Sequence, residues 1–138
     1  MTARHHPFRR YGPAAVMLTL IPALSLLPAR FFRHIAGAPA FPGMDKLIHS
    51  VMYAALTVAL FHALSSSARV RFTWVIRLVL AASLYGLAME LCQKLLTRSR
   101  SFDPLDALSN AVGAFLCALT LYALARFRSE KDATFTPV

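Results

Sequence analysis

The chain has 138 residues, of which 57% are hydrophobic and 15% are charged, and its formal net charge is +9. The length suits one domain, and few soluble domains of this size could bury so large an apolar fraction. The basic residues lie mostly between or beyond apolar runs, where Lys and Arg orient a membrane protein and contact anionic headgroups. The composition therefore predicts an integral membrane protein and argues against a nucleic-acid-binding protein.

Four apolar segments are long enough to cross a bilayer core, which takes roughly 20 helical residues. The first covers about residues 12–29 and contains Pro22, which predicts a kink that neighbouring helices repair. A cleaved signal peptide is the alternative interpretation of this segment. The second span covers about residues 44–64 and follows the helix breakers Pro42 and Gly43.

The other two spans have recognisable starts. The third covers about residues 74–96 and begins at Trp74, a residue type that favours the membrane interface. The fourth covers about residues 105–125. Before it stand Asp103, which suits an N-cap, and Pro104, which suits the first helical position.

The predicted architecture is all-α: an integral membrane four-helix bundle with short loops and antiparallel neighbours. Residues 1–11 form a basic N-terminus, residues 12–125 the membrane domain, and residues 126–138 a polar tail that we expect to be disordered. Nine of the 15 Lys and Arg residues fall on the side that holds both termini. This bias predicts that both termini are cytoplasmic.

Polar side chains gather near the start of the second span, the end of the third and the start of the fourth. An alternating topology brings these three places to one membrane depth on the outer side. Ionisable groups cost several kcal/mol in hydrocarbon, so they tend to face a shared interior. The sequence thus predicts one polar site, whose candidate ligand-binding residues are Asp45, Lys46, His49, Glu90, Gln93, Arg100, Asp106 and Asn110.

Helical spacing suggests roles for the first two groups. Asp45 and His49 are four residues apart, so they share a helix face and can touch. That pair predicts a proton carrier or an anion-binding imidazolium, with an N-cap beside an interfacial His as the alternative. Glu90 and Gln93 also share a face, and Glu90 is the deepest acid in the chain. A structural hydrogen bond between helices is the alternative for this pair.

The third group forms a stripe along the fourth span. Asp103, Asp106 and Asn110 lie on it, and Gly113 continues it and allows close helix approach. Arg100 either folds back onto a carboxylate or offers its guanidinium to a phosphate or carboxylate ligand.

Metal-binding motifs are absent from the sequence: it has no His/Cys cluster at zinc spacing and no HExxH. No metal and no cofactor are therefore predicted, although carboxylates and His49 could hold a hard cation in principle.

Three segments, DKLIHSVMY, LYGLAMELCQ and RSFDPLDALSNAVGA, together resemble the VanZ-like family of small bacterial membrane proteins. That family reads DK-x2-H, then G-x3-E-x2-Q, then R-x-F-x3-D-x3-N-x2-G. The match covers roughly residues 20–121, and Cys117 departs from it where the family often has a second small Gly. The matching residues are Asp45, Lys46, His49, Gly86, Glu90, Gln93, Arg100, Phe102, Asp106, Asn110 and Gly113.

The resemblance implies a multi-pass protein of the bacterial cytoplasmic (inner) membrane, in a family named for low-level resistance to the glycopeptide teicoplanin. It implies no particular reaction. Our first functional hypothesis is the binding or handling of an amphiphile at the outer leaflet: an envelope lipid, a lipid-linked precursor or a lipoglycopeptide. In it, Lys46 and Arg100 meet an anionic headgroup. Gln93, Asp106 and Asn110 bind its polar parts.

Three alternatives stay open at this point. One is a membrane-embedded enzyme that uses His49 or Glu90 as acid or base on a lipid substrate. Another is a proton-coupled transporter with Glu90 as carrier, which would require a chain this small to form a homo-oligomer. The third is a purely structural polar cluster that locks the helices together.

Overall fold

The computed structural model describes residues 7–26, 42–64, 71–97 and 102–134, and within these ranges the chain is helical with no strand. The helices are α1 (Pro7–Ser25), α2 (Met44–Leu64), α3 (Phe72–Leu96) and α4 (Pro104–Thr134). The predicted all-α class is confirmed for these ranges.

Three helices are long and apolar enough to span a membrane: α2, α3 and the part of α4 up to Lys131. The described length of α1 is less apolar because Arg9 and Arg10 occupy its start. Residues 27–29, which complete the first predicted span, lie outside the described ranges, so that span stays a prediction. Large hydrophobic side chains cover the outside of the helices while Glu, Gln and Asn side chains are buried, the reverse of a water-soluble fold.

The observed helix ends agree with the predicted bounds for the second span and differ from them for the fourth. Helix α2 has the predicted bounds, and α3 begins two residues before the predicted start. Helix α4 continues to Thr134, so the expected disorder of the tail is wrong for residues 126–134. This stretch is rich in helix-favouring residues, and Arg126 pairs with Glu130 one turn later at 3.4 Å.

Side-chain contacts show which helices are parallel and which are antiparallel. His49 faces Glu90, and the Tyr53 ring packs on Tyr85 with centroids 6.3 Å apart, so α2 and α3 are antiparallel. The Ser50 hydroxyl donates to the Ser109 carbonyl at 3.0 Å, and Lys46 contacts Asp106, so α2 and α4 are parallel. The core between the helices is built around Ile21, Tyr53, Leu56, Ala82, Met89 and Ala114.

Helices α2 and α4 come closest where Gly113 faces Ser50. A Cβ atom added at Gly113 would overlap the Ser50 backbone carbonyl. Only a residue without a side chain allows this separation, which confirms the close approach that the stripe on α4 predicts.

Helix α1 contains a defect that α3 repairs. Pro22 has no amide hydrogen, so the Leu18 carbonyl one turn earlier lacks its usual helical donor. The Tyr85 hydroxyl donates to that carbonyl at 2.7 Å. Near the end of α1, the Gln93 side-chain amide donates to the Ser25 carbonyl at 3.0 Å. Two polar side chains of α3 thus fix α1 through backbone groups that the proline and the helix end leave free.

We expect Gly113→Ala to destabilise the protein by about 1–3 kcal/mol, because the new methyl group meets backbone that cannot rotate away. Titration with SDS in mixed micelles measures the free energy of unfolding. Gly12→Ala is the matched control, since a Cβ there would meet nothing closer than the Phe8 side chain at 3.8 Å. That control should be neutral or stabilising, because Ala favours a helix over Gly. Equal effects of the two substitutions would contradict the close contact.

The proline repair predicts a coupling between Pro22 and Tyr85. In the parent, Tyr85→Phe should cost about 1 kcal/mol, because the Leu18 carbonyl loses its donor. In a Pro22→Ala background the restored amide satisfies that carbonyl, so the same Tyr85→Phe change should cost close to nothing. The four unfolding free energies of this double-mutant cycle are the measurement. Additive effects would show that Tyr85 contributes packing alone.

Candidate functional site

The Lys46 ammonium lies among three carboxylates at the start of α2 and α4. Its Nζ is 3.0 Å from Asp45, 3.1 Å from Asp103 and 3.1 Å from Asp106. An ammonium has three hydrogens, and all three are used here. The structure therefore does not support the expectation that Lys46 meets an anionic headgroup, because it has no free donor to offer.

His49 is buried between α2, α3 and α4, next to the Lys46 cluster. Its Nδ1 lies 3.0 Å from the Asn110 Oδ1 and 3.8 Å from the Glu90 Oε1, and its Nε2 lies 3.7 Å from the Asp106 Oδ2. The expected pairing of His49 with Asp45 is wrong. Asp45 is more than half exposed and binds Lys46, whereas the ring turns inward to side chains of the other two helices.

Glu90 is 1% exposed, and neither of its carboxylate oxygens has a hydrogen-bond partner in the described parts of the chain. The Tyr53 hydroxyl and the Asn110 side-chain nitrogen are likewise buried and unpartnered within those ranges. A buried polar group without a partner costs roughly 1–3 kcal/mol, and more when it is charged. Four such atoms, contributed by three helices, are the buried side-chain atoms left unpaired among the described residues.

Gly86 makes room for this group. A Cβ atom at Gly86 would lie 3.0 Å from the Asn110 Nδ2 and 3.1 Å from the Tyr53 Cε1. The missing side chain lets both residues stand against α3. Tyr53 is absent from the predicted site residues, although it follows His49 by four residues and so shares its helix face.

The remaining predicted site residues serve other purposes or lie elsewhere. Gln93 is 2% exposed, and its side-chain amide donates to the Ser25 carbonyl of α1. Asp103 accepts from the Leu105 amide at 2.8 Å, which confirms the predicted N-cap of α4. Arg100 lies outside the described residues.

The charges of the described site residues are unbalanced. Four carboxylates, on Asp45, Glu90, Asp103 and Asp106, stand against the single ammonium of Lys46 and the imidazole of His49. At the exposed edge of the site, the Leu105 amide and then Lys46 lower the pKa of Asp103 below its ordinary value of 3.8. Among the described site residues, acidic groups therefore outnumber basic ones.

No family model matches this chain, and no curated protein or solved structure matches it. The resemblance to VanZ-like proteins therefore stays a prediction from the sequence motifs.

The lowered pKa of Asp103 predicts a dependence of stability on pH. A depressed carboxyl pKa stabilises the fold above the ordinary value of 3.8, and this stabilisation is lost as the pH falls through the lower folded-state value. Asp103→Asn keeps an N-capping side chain but removes the charge. The parent should be more stable than this variant at pH 6, and the gap should narrow towards pH 3. Thermal midpoints across this range measure it, and parallel curves would contradict the assignment.

Proposed function

We propose that this chain is a VanZ-like protein of the bacterial inner membrane that binds the polar headgroup of an amphiphile between α2, α3 and α4. The observation that supports the proposal most is the set of unpartnered atoms on Tyr53, Glu90 and Asn110. Natural proteins pair nearly all of their buried polar groups, so a set that is unpaired among the described residues calls for a further partner, and a bound headgroup would supply one.

The atoms suit a particular chemistry. Tyr53 and Asn110 offer hydrogen-bond donors, and Glu90 offers two acceptors. A hydroxyl group both donates and accepts, so neighbouring hydroxyls, as on a sugar or a glycerol, can satisfy all three side chains. Because Lys46 is already held by three carboxylates, we favour a hydroxyl-bearing headgroup over an anionic one. An envelope lipid, a lipid-linked precursor and a lipoglycopeptide all carry such groups.

Apolar side chains beside the site would hold the hydrophobic part of the ligand. Leu47 and Ile48 flank the polar start of α2, Leu91 follows Glu90 on α3, and Leu108 lies one turn into α4. Each of these side chains is more than 40% exposed. An acyl chain can lie along these faces while the headgroup turns inward to the polar site.

Three candidate spans and a predicted fourth give the proposed topology: a four-helix bundle with both termini in the cytoplasm. This orientation places the site towards the outer leaflet, where lipid-linked precursors and glycopeptides are met. The second candidate function is acid–base chemistry on the same ligand. It is favoured by the buried imidazole of His49, whose Nδ1 is 3.8 Å from the Glu90 carboxylate.

Native mass spectrometry of the detergent-purified protein tests the proposal. We expect the parent to carry a lipid-sized adduct from the host membrane. Tyr53→Phe should weaken its retention about five- to tenfold, the effect of losing one hydrogen bond. The variant should stay folded, because it removes a hydroxyl without a partner in the described chain.

Tyr122→Phe is the matched control, since Tyr122 packs edge-on against Phe72, away from the site. It should keep the adduct. A parent that binds neither host lipids nor added glycolipids would contradict the proposal, and so would equal retention by Tyr53→Phe. A mass change of the bound ligand that Glu90→Gln abolishes, with binding intact, would favour the enzyme.

A further inference from the structure

Three side chains of metal-ligand type converge from three helices: His49 on α2, Glu90 on α3 and Asp106 on α4. Each offers one nitrogen or oxygen atom, and these atoms all lie within 4.8 Å of one another. His49 and Glu90 are buried, and the Asp106 side chain is 14% exposed. The second acidic group, Asp45, Asp103 and Asp106, already surrounds the Lys46 ammonium.

Asn110 sets the orientation of the His49 ring. An amide oxygen can only accept, so the 3.0 Å contact means that the His49 Nδ1 carries a hydrogen and donates it to the Asn110 Oδ1. In the neutral ring, Nε2 then presents a lone pair, and it lies 3.7 Å from the Asp106 Oδ2. Two acceptors thus face each other across a gap. Metal-bound histidines have the same kind of partner on their other nitrogen.

Asp106 divides its two oxygens between neighbouring groups. Oδ1 accepts from Lys46 at 3.1 Å, while Oδ2 faces the His49 ring. Lys46 therefore fixes the carboxylate without occupying the oxygen that points towards His49.

Glu90 supplies an independent observation that points to a ligand. It is 1% exposed, neither of its oxygens has a hydrogen-bond partner in the described ranges, and Oε1 lies 3.8 Å from the His49 Nδ1. With all of these groups ionised, four carboxylates and one ammonium leave an excess of three negative charges among the described site residues. A protonated imidazole would cancel only one of them, whereas a divalent cation cancels two.

We propose that His49, Glu90 and Asp106 bind a divalent cation, and specifically Zn²⁺. One imidazole nitrogen with two carboxylate oxygens favours zinc over the hard cations Mg²⁺ and Ca²⁺, which prefer oxygen ligands alone. Zinc takes such ligands at about 2.0–2.2 Å, so side-chain shifts of roughly 1 Å close the site. Three protein ligands leave a fourth position open for water or a ligand oxygen. The inference goes beyond the proposed function, since it needs no amphiphile.

Equilibrium dialysis of the chelator-stripped, delipidated protein against micromolar Zn²⁺ tests the site, with zinc counted per chain by elemental analysis. The N-terminal pair His5 and His6 is a competing zinc ligand, so every protein carries His5→Ala and His6→Ala. We expect one zinc per chain in this background. Co²⁺ in place of zinc should give the visible absorption of a four-coordinate site. Zinc should also raise the thermal midpoint, because it binds the folded state.

His49→Gln should weaken zinc binding by more than the roughly 10–100-fold that loss of an orienting partner causes. His62→Gln is the matched control, because His62 is an exposed histidine on the same helix. Glu90→Gln, which keeps the side-chain volume, covers the case that His49→Gln fails to fold. Absence of zinc from the folded parent would overturn the proposal, as would equal binding by parent, His49→Gln and Glu90→Gln. Tyr53→Phe should keep zinc while its retention of the amphiphile weakens, so failure of one proposal is distinguishable from failure of the other.

Discussion

The backbones of α2 and α4 touch where Gly113 faces the Ser50 carbonyl, and the polar site depends on that contact. Two parallel helices this close have one register, which places Lys46 against Asp106 and His49 against Asn110. The hydrogen bond from Ser50 to the Ser109 carbonyl repeats the same register one turn away. A wider separation would leave each of these side chains to find a partner on its own helix.

The buried charges of the site are tolerated because Asp106 links the Lys46 ion cluster to the buried His49. Asp106 accepts from Lys46 through one oxygen and faces His49 through the other, so the half-exposed ion cluster leads directly into the buried interior. Pairing and hydrogen bonding lower the cost of the outer acids, although the net worth of such clusters near a surface is small. Glu90 has only the His49 ring at 3.8 Å as an ion-pair partner among the described residues, and neither of its oxygens makes a hydrogen bond there.

The sequence predicts those features of the fold that are determined within a single helix. Hydropathy and the breakers Pro42 and Gly43 predict the bounds of α2. The place of Asp103 before Pro104 predicts that it is the N-cap of α4. The alternating topology predicts that the polar residues lie together at one end of three helices. Partner choice could not be predicted in this way. A spacing of four residues puts Asp45 and His49 on one face, but the neighbouring helices decide that the ring turns to Glu90 and Asn110 instead.

The sequence also could not predict which side chains donate to backbone carbonyls that a proline or a helix end leaves free. Gln93 has the spacing of a site residue, yet it caps α1 because the Ser25 carbonyl lies beside it. The free carbonyl of Leu18 could be deduced from Pro22, but nothing in the pattern names Tyr85 as its donor. Likewise, ligands from three different helices have no fixed spacing, so a metal motif search over the sequence cannot find His49, Glu90 and Asp106 together.

The proposed cation and the proposed headgroup share Glu90. One of its carboxylate oxygens can bind the cation, and the other can accept a hydrogen bond from the headgroup. A cation on the His49 side would neutralise the carboxylate, and a neutral hydroxyl would then enter a site that no longer repels electron-rich groups. Coupling between two ligands is reciprocal: a cation that raises the affinity for the headgroup must be held more tightly, by the same factor, when the headgroup is bound. In this scheme Tyr53 contacts only the headgroup and Asp106 binds only the cation. Substitutions at these two residues can therefore change the binding of one ligand without removing the contacts to the other.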